Sequence, residues 1–305
     1  MQTVLGAGGA VGKALATALK QYTSDIRLVG RNPKKVNETD ITHPADLLSP
    51  EEVNKAVAGS DVVYLMVGLV YKTKVWQKQW PLVMQNTIDA CKAHNAKLVF
   101  FDNVYMYDRE ALNHMTEETA VRPSSDKGRV RAHIADMVLK AHEKGEIKAL
   151  IARSADFIGP ENSVPAETIY KNLKKGKPAD WFAALDKIHS FTDTHDAAVG
   201  TAMLGNNEAA YGKVWHLPTD PTPLTAQQWI DLFAKEMSVK PKGRALPIWT
   251  MSILGIFIPV LKELKEMAYQ YDRDYYFDSS KFNRKFEYTP SKPEESVKRV
   301  VEYYK

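Results

Sequence analysis

The sequence predicts an α/β protein with a doubly wound parallel sheet and a smaller, mainly helical C-terminal lobe. Residues 1–152 alternate short apolar runs with amphipathic helical patterns. Such an alternation places helices on both faces of a parallel sheet. The alternation is lost around Pro160, Pro165 and Pro178, after which helical patterns mix with short extended pieces. A second lobe of different architecture is therefore expected to follow the sheet.

The elements are predicted in chain order from their apolar periodicity. The expected strands are Thr3–Leu5, Ile26–Val29, Val62–Val67, Leu98–Phe101 and Leu150–Ala152. Helical patterns occupy residues 11–20, 50–58, 76–94 and 128–143. We expect residues 1–156 to form the sheet domain, with about 188–204 returning to it. Residues 157–305 are expected to form most of the substrate-binding lobe.

A glycine-rich turn joins the first strand to the first helix, and it is the clearest functional signal in the chain. Its glycines are Gly6, Gly8, Gly9 and Gly12. Gly6 allows a sharp turn off the strand, Gly9 lets backbone amides approach a pyrophosphate, and Gly12 lets the helix pack close to the sheet. The pattern predicts a Rossmann-type dinucleotide site, with a ligand-free turn as the alternative. The candidate contacts are Gly6, Gly8, Gly9, Ala10, Val11 and Gly12.

The end of the second strand bears on which dinucleotide binds. An NAD site usually has an acidic residue there, but Asp25 precedes the strand and Arg31 follows it. A guanidinium at this exit could hold a 2′-phosphate through paired hydrogen bonds. Arg31 therefore favours NADP(H) over NAD(H). The alternative is a solvated turn formed by Arg31 with Lys34 and Lys35.

Three further residues are candidate cofactor contacts. Asp46 and Leu47 precede the helical pattern that begins near Pro50. Asp46 could bond the adenine amino group or cap its own loop, and the sequence leaves both open. Val67 ends the third predicted strand, and its place at the end of that strand makes it a candidate cofactor contact.

Composition narrows the classes of function. The 305 residues are 44% hydrophobic and 26% charged, with a net charge of +4 and interleaved acids and bases. This balance is typical of a soluble globular protein and argues against nucleic acid as the partner. We expect a small-molecule substrate.

Cysteine content and apolar segments bear on location. The single Cys91 excludes an intrachain disulfide and continues an apolar helical stripe, so a buried thiol in a reducing compartment is predicted. The histidines lack metal-ligand spacing, and no metal site is expected. The uncharged run Ile248–Leu261 is shorter than the roughly 20 residues of a membrane span. We expect a buried or subunit-contacting helix there, no membrane partner and a cytoplasmic protein.

The motifs together resemble the extended branch of the short-chain dehydrogenase/reductase superfamily, of the NAD-dependent epimerase/dehydratase type. The segments that carry the resemblance are the glycine turn, Leu98–Tyr107, Arg153–Pro160, His189–Ala198 and Phe277–Lys281. The resemblance implies that the segment containing Phe157 lies beside the nicotinamide, and that His189 lies in a segment that contacts substrate. It also suggests a homodimer.

The sequence departs from that family at the residues of its chemistry. The resemblance implies a Tyr-x-x-x-Lys dyad and a Ser or Thr, but here Lys127 stands at the tyrosine position and Arg131 at the lysine position. Asn103 stands where the Ser or Thr belongs. Lys127 and Arg131 extend the apolar stripe of Ile134 and Val138. We therefore expect the pair to face the cleft between the two predicted lobes, where the active site is expected.

These replacements can be given chemical roles. A buried lysine beside a second cation could become neutral, so Lys127 is a candidate acid or base as well as a cofactor contact. Arg131 could hold ribose or a substrate anion, and the Asn103 amide could polarise a carbonyl. Tyr105 could supply a phenol, whereas Tyr107 is expected to pack in the core.

Two functional hypotheses follow. The first is an NADP(H)-binding oxidoreductase or epimerase-like enzyme that acts on a small hydroxy or carbonyl compound, with sugar derivatives among the candidates. The second is an NADP(H)-binding sensor or regulator without catalysis, which the altered dyad favours. A structural subunit that binds no dinucleotide is a third, weaker hypothesis.

Overall fold

The computed structural model describes residues 1–250 and 263–305. These residues form two compact units that interleave along the chain. The sheet unit comprises Met1–Asn103, Arg129–Ser154 and Ala197–Leu217. The second unit comprises Val104–Gly128, Ala155–Asp196 and the described part of Pro218–Lys305. Residues 104–128 thus group with the second unit, and the returning segment is 197–217 rather than about 188–204. The predicted helix Ile248–Leu261 lies outside the described residues from position 251 onward.

The sheet unit is built on seven parallel strands. The strands are β1 Gln2–Leu5, β2 Ile26–Gly30, β3 Ile41–Pro44, β4 Val62–Leu65, β5 Lys97–Asp102, β6 Ala149–Arg153 and β10 Val214–His216. Their order is β10-β6-β5-β4-β1-β2-β3, which confirms the doubly wound fold. The strand order reverses between β1 and β4, and ligands of open α/β sheets bind at this switch point.

Burial explains which strands the sequence revealed. All four residues of β1 and of β4 are buried, as expected of central parallel strands covered on both faces. Strand β3 was not predicted because it lies at the sheet edge with no buried residue, so its sequence carries little apolar pattern. The predicted strand ending at Val67 is too long, since β4 ends at Leu65.

Helices connect the strands. They are α1 Ala10–Leu19, α2 Pro50–Val57, α3 Thr73–Ala93, α4 Asp126–Glu143 and α6 Thr194–Gly205. Ser49 caps α2 by accepting a hydrogen bond from the Glu52 amide, with Pro50 at the first helical position. Each predicted helical pattern corresponds to a helix, with ends that differ by a few residues.

The second unit combines helices with two small parallel sheets. One sheet pairs β7 Asp156–Ile158 with β9 Phe191–Asp193, and the other pairs β8 Ala179–Phe182 with β11 Gly243–Leu246. Its other elements are a π-helical turn Pro165–Tyr170, α5 Lys171–Lys174, α7 Ala226–Glu236, and the helices Ser280–Phe286 and Pro293–Tyr303. Large aromatic residues form its apolar core, among them Trp181, Phe191, Trp229 and Phe233.

Cys91 tests the packing of the sheet unit. The side chain is fully buried in α3, and this burial raises the pKa of its thiol to about 12. The thiol therefore stays protonated at neutral pH, and a protonated, inaccessible thiol is a poor nucleophile. We expect no reaction of the native protein with a chromogenic disulfide reagent at pH 8 and one equivalent of reaction in denaturant. Rapid labelling of the folded protein would contradict this packing.

Candidate functional site

The glycine turn has the backbone geometry that its sequence predicts. Gly6 has a φ of +90°, a conformation that other residues rarely adopt. A Cβ at Gly6 would lie 2.4 Å from the Cα of Val67, so the chain after β4 passes directly against the turn. At Gly12 an added Cβ would come within 3.0 Å of the Ala7 backbone. Gly6 and Gly12 are thus required by the fold of the sheet unit itself.

Gly9 differs because nothing in the described structure requires it. A Cβ at Gly8 or Gly9 would meet no atom of the described residues within 4 Å. Gly9 is the N-cap of α1, and as a glycine it makes no side-chain hydrogen bond to the first turn of the helix. The first turn of α1 contains no acidic residue. Open space over the positive end of a helix fits the phosphates of a dinucleotide.

Arg31 lies where the sequence predicts, directly after β2. It is exposed, and no other residue in the described part of the chain pairs with its guanidinium. Asp40 orders the loop that follows, because its buried carboxylate accepts hydrogen bonds from the amides of Val36 (3.0 Å) and Asn37 (2.7 Å). The Asn37 side chain donates to the Ala16 carbonyl in α1 at 3.0 Å.

Asp40 was not predicted as part of this region. Its sequence signal is only local, since an Asp in a polar loop often accepts hydrogen bonds from nearby backbone amides. The Asp40 contacts order the loop that contains Lys34 and Lys35, and the Asn37 bond attaches this loop to α1, the helix that follows the glycine turn.

Asp46 is engaged in its own loop. The exposed carboxylate accepts a hydrogen bond from the Leu48 amide at 3.0 Å, which is the capping alternative. Leu47 is buried, and its carbonyl accepts from the Asn86 side chain at 3.0 Å. The contact of Asp46 and Leu47 with adenine stays a prediction.

Arg131 lies in a buried ion-pair cluster of the sheet unit. Its Nε donates to Asp102 Oδ1 at 2.7 Å, while Arg153 Nε donates to Asp102 Oδ2 at 3.1 Å. The exposed fractions are 2% for Asp102, 4% for Arg131 and 3% for Arg153. The rings of Trp80 and Phe100 lie 4.6 and 4.8 Å from the Arg131 guanidinium carbon. This cluster joins the ends of β5 and β6 to α4, a structural task that sequence analysis did not assign to Arg131.

Lys127 is completely buried in the second unit. Its Nζ donates to Glu263 Oε2 at 2.7 Å, Glu266 Oε2 at 3.0 Å and the Glu263 carbonyl at 3.2 Å. A buried ammonium requires such counter-charges. Sequence analysis expected a neighbouring cation and missed both acids, because they lie 136 and 139 residues away along the chain.

The backbone around Lys127 is tightly constrained. A Cβ at Gly128 would lie 2.3 Å from the Tyr105 carbonyl oxygen, so the start of α4 packs directly on the Tyr105 backbone. Ser125 Oγ accepts from the Gly128 amide at 3.0 Å.

The remaining candidates lie in the segment after β5. Asn103, in the sheet unit, donates its backbone amide hydrogen to Asp102 Oδ1 at 2.9 Å. Tyr107 is fully buried, as expected of a core residue.

A second polar cluster lies around His189. Its Nε2 lies 3.0 Å from Asp156 Oδ2, which also accepts from the Tyr271 hydroxyl at 3.1 Å. The imidazole stacks between the rings of Tyr271 and Tyr275, with centroid distances of 4.8 and 4.4 Å. Phe157 follows Asp156 in β7 and pairs with Thr192 of β9. Asp156 was missed because neither its spacing nor its charge distinguishes it in the sequence.

The model of the NAD dependent epimerase/dehydratase family matches residues 2–216. This chain belongs to that family. The resemblance drawn from the sequence motifs is thereby confirmed for this epimerase/dehydratase-family protein. No curated protein sequence matches it.

Solved structures share the fold of this epimerase/dehydratase-family protein over nearly its whole length. UDP-glucuronic acid 4-epimerase from Bacillus cereus, in complex with NAD, has a TM-score of 0.80 at 17% identity and covers 100% of both chains. dTDP-glucose 4,6-dehydratase from Bacillus anthracis, in complex with NAD, has a TM-score of 0.81 at 12% identity, covering 99% of this chain and 96% of its own. MoeE5, in complex with UDP-glucose and NAD, has a TM-score of 0.78 at 16% identity, covering 99% and 98%. At these identities the likeness shows the fold alone.

In residues 1–250 and 263–305, no helix is both long and apolar enough to span a membrane.

The buried carboxylate of Asp102 yields a stability prediction. Asp102→Asn removes the charge that compensates two buried arginines, and breaking a buried pair costs about 3–5 kcal/mol. We expect the free energy of unfolding to fall by about that amount in urea denaturation. The control is Asp46→Asn, which changes an exposed carboxylate and is expected to have little effect. Equal stability of the two variants would show that the cluster contributes nothing.

Proposed function

We propose that this protein binds NADP(H) through the turn Gly6–Gly12 and acts as an oxidoreductase or epimerase-like enzyme on a small hydroxy or carbonyl compound. The observation that carries the proposal is the open space over Gly9 at the uncapped N-terminus of α1. Solved structures of similar fold contain NAD. A pyrophosphate there would receive backbone hydrogen bonds and the positive end of the helix dipole.

The preference for NADP(H) rests on the residues after β2. Arg31 is an exposed cation at the strand exit, and Lys34 and Lys35 follow it in the same loop. An adenosine 2′-phosphate carries the charge and the oxygens that a guanidinium binds in pairs. Asp40 orders this loop, so less conformational freedom would be lost on binding.

A sugar-derived substrate is the class we favour. MoeE5 was solved with UDP-glucose and with UDP-glucuronic acid, and the Bacillus cereus epimerase with a fluorinated UDP-glucuronic acid. The present chain shares their fold and covers them almost completely, so a related hydroxyl-bearing substrate is the simplest extension. Its reactive group would be an alcohol or the corresponding carbonyl.

The chain's own polar groups would position that reactive group. When bound, the nicotinamide would supply or accept the hydride. Asn103 would orient a substrate oxygen through its side-chain amide, and Lys127 would contribute charge from within its acidic cluster. Tyr105 would add a phenol, and Val67 and Phe157 would bound the cofactor.

A specific observation favours the second hypothesis, a cofactor-binding regulator. The Lys127 ammonium is held by Glu263 and Glu266, and the Arg131 guanidinium is held by Asp102. Both replaced dyad positions are therefore engaged in ion pairs. A protein that binds NADPH and reduces no member of a panel of carbonyl compounds would match this hypothesis.

The cofactor preference is tested at Arg31. Tryptophan fluorescence is titrated with NADPH and with NADH, and wild-type protein is expected to bind NADPH more tightly. Arg31→Ala should weaken NADPH binding by about 10- to 150-fold, because a hydrogen-bonded charge contact is worth roughly 1.5–3 kcal/mol. NADH binding should change little. Lys92→Ala, which removes an exposed cation from the last turn of α3, serves as the control.

Three outcomes separate the hypotheses. Preference for NADPH that Arg31→Ala abolishes supports the proposed contact. Equal binding of both dinucleotides refutes the preference for NADPH but is compatible with the proposed cofactor site. Binding of neither dinucleotide would remove both functional hypotheses.

The role of Lys127 is tested by Lys127→Met. We expect turnover to fall about 100-fold or more, as for loss of a group that acts on the reacting atoms, while NADPH affinity changes less than about threefold. Turnover is followed as NADPH oxidation with small carbonyl compounds. The matched control is Lys140→Met on the same helix, where the exposed side chain pairs only with Asp136 in the described structure. Normal turnover of Lys127→Met would refute the role.

A further inference from the structure

The connection between β2 and β3 is unusual for two neighbouring parallel strands. Arg27 pairs with Ile41, and Gly30 pairs with Pro44. The chain therefore leaves β2 at one edge of the sheet and must return to the opposite edge before β3 begins. Such a crossover usually contains a helix. Here residues 31–40 make the crossing as a loop without a helix, so the loop depends on contacts of its own.

The first end of this loop is attached to the glycine turn. The Val29 carbonyl, near the end of β2, accepts hydrogen bonds from the amides of Gly6 (2.9 Å) and Ala7 (3.2 Å). Arg31 is the second residue after Val29, and it is exposed. Because the turn and β2 share this carbonyl, the loop begins at a fixed place beside the turn.

The far end of the loop is attached to α1. The Asn37 side-chain amide donates to the Ala16 carbonyl of α1 and to Asp40 Oδ1, both at 3.0 Å. Asp40 Oδ2 accepts from the backbone amides of Val36 (3.0 Å) and Asn37 (2.7 Å). Asp40 is only 1% exposed, so these donors take the place of water around its charge. Asn37 and Asp40 together therefore fix the loop to the helix.

The exposed cations of the loop lie between these two attachments, in residues Arg31–Lys35, which we call the basic stretch. Asn37 meets α1 at Ala16, and the later Thr39 meets it at Lys20 through a 3.2 Å hydrogen bond. The loop and α1 therefore run in the same direction. This order places the basic stretch beside the first half of α1, the half that follows the glycine turn.

We propose that Asn37 and Asp40 are positioning residues, which hold the basic stretch beside the glycine turn as a preformed site for the adenosine 2′-phosphate. This inference rests on the proposed function and deepens it, because it names what keeps Arg31 and its neighbours in place. Neither residue would touch the phosphate, since both act through the loop backbone. A loop that is already ordered loses less conformational entropy on binding than one that must first be ordered.

Asp40 suits this task only as a carboxylate. Its two oxygens accept from three N–H groups, and a side-chain amide in its place would turn an NH₂ group toward those donors. Asp40→Asn should therefore release the loop from within. Asn37→Ala should cut the link to α1 and keep the backbone contacts of Asp40. The two variants thus remove the two halves of the attachment separately.

The test compares NADPH with NADH, which differ only by the 2′-phosphate, in titrations of tryptophan fluorescence. Wild-type protein is expected to bind NADPH more tightly. Asn37→Ala and Asp40→Asn should each weaken NADPH binding about tenfold and change NADH binding less than about twofold. The matched control is Thr39→Ala, which removes an exposed hydroxyl of the same loop and should change neither affinity.

The outcomes separate this inference from the proposed function. A loss confined to NADPH supports the positioning role, because a general structural defect would weaken both dinucleotides alike. An equal loss for both dinucleotides would overturn the role. If Arg31→Ala abolishes the preference for NADPH while Asn37→Ala and Asp40→Asn retain it, the inference falls and the proposed function stands. Binding of neither dinucleotide by the wild-type protein would overturn both, and equal binding of the two would overturn the inference together with the preference.

Hydrogen exchange of the free protein gives a second readout that needs no cofactor. The amides of Val36 and Asn37 bond a buried carboxylate, so they should exchange slowly in the wild-type protein and at least about tenfold faster in Asp40→Asn. Arg31→Ala leaves these bonds in place and should not change the exchange. Fast exchange in the free wild-type protein would show that the loop is not preformed and would overturn the inference. Thermal unfolding identifies a variant that does not fold, and the partly buried Asn37 keeps the test valid if Asp40→Asn fails.

Discussion

The sheet unit depends on one buried carboxylate, that of Asp102, which is shared by two buried arginines. An unpaired buried charge would be very costly in free energy. Arg131 and Arg153 must therefore both stay in contact with the Asp102 carboxylate. Because Arg131 belongs to α4 and Arg153 ends β6, their shared partner fixes that helix against the ends of two neighbouring strands. The same carboxylate receives the amide hydrogen of Asn103 and so sets where the next segment begins.

The same rule governs the second unit. Lys127 is fully buried, and Glu263 and Glu266 supply its counter-charge. In these two clusters the buried charges are paired with each other, and an uncharged substrate would be met more easily by neutral groups such as amides. Neutral donors can meet an uncharged hydroxyl or carbonyl without separating an ion pair. This division of tasks differs from the dyad that the resemblance implies, in which a cation and a phenol act together.

The proposed cofactor binding and the proposed chemistry depend on different features of the chain. The turn at Gly6–Gly12 is a local backbone arrangement, and its sequence signal is strong because glycine alone tolerates the φ of Gly6 beside Val67. Chemistry rests on side chains that several distant segments bring together. The glycine turn can thus persist while the groups around Lys127 change, and both an enzyme and a regulator are compatible with it.

The sequence by itself determined the family, the parallel sheet and the glycine turn, because each depends on residues close together in the chain. Periodicity located the buried strands, but it missed β3, whose edge position leaves no apolar pattern. It also could not show that Lys127 meets Glu263 or that Arg131 meets Asp102. Only the tertiary structure decided these pairings, since charges and hydroxyl groups carry no periodic signal and their partners lie tens to hundreds of residues away.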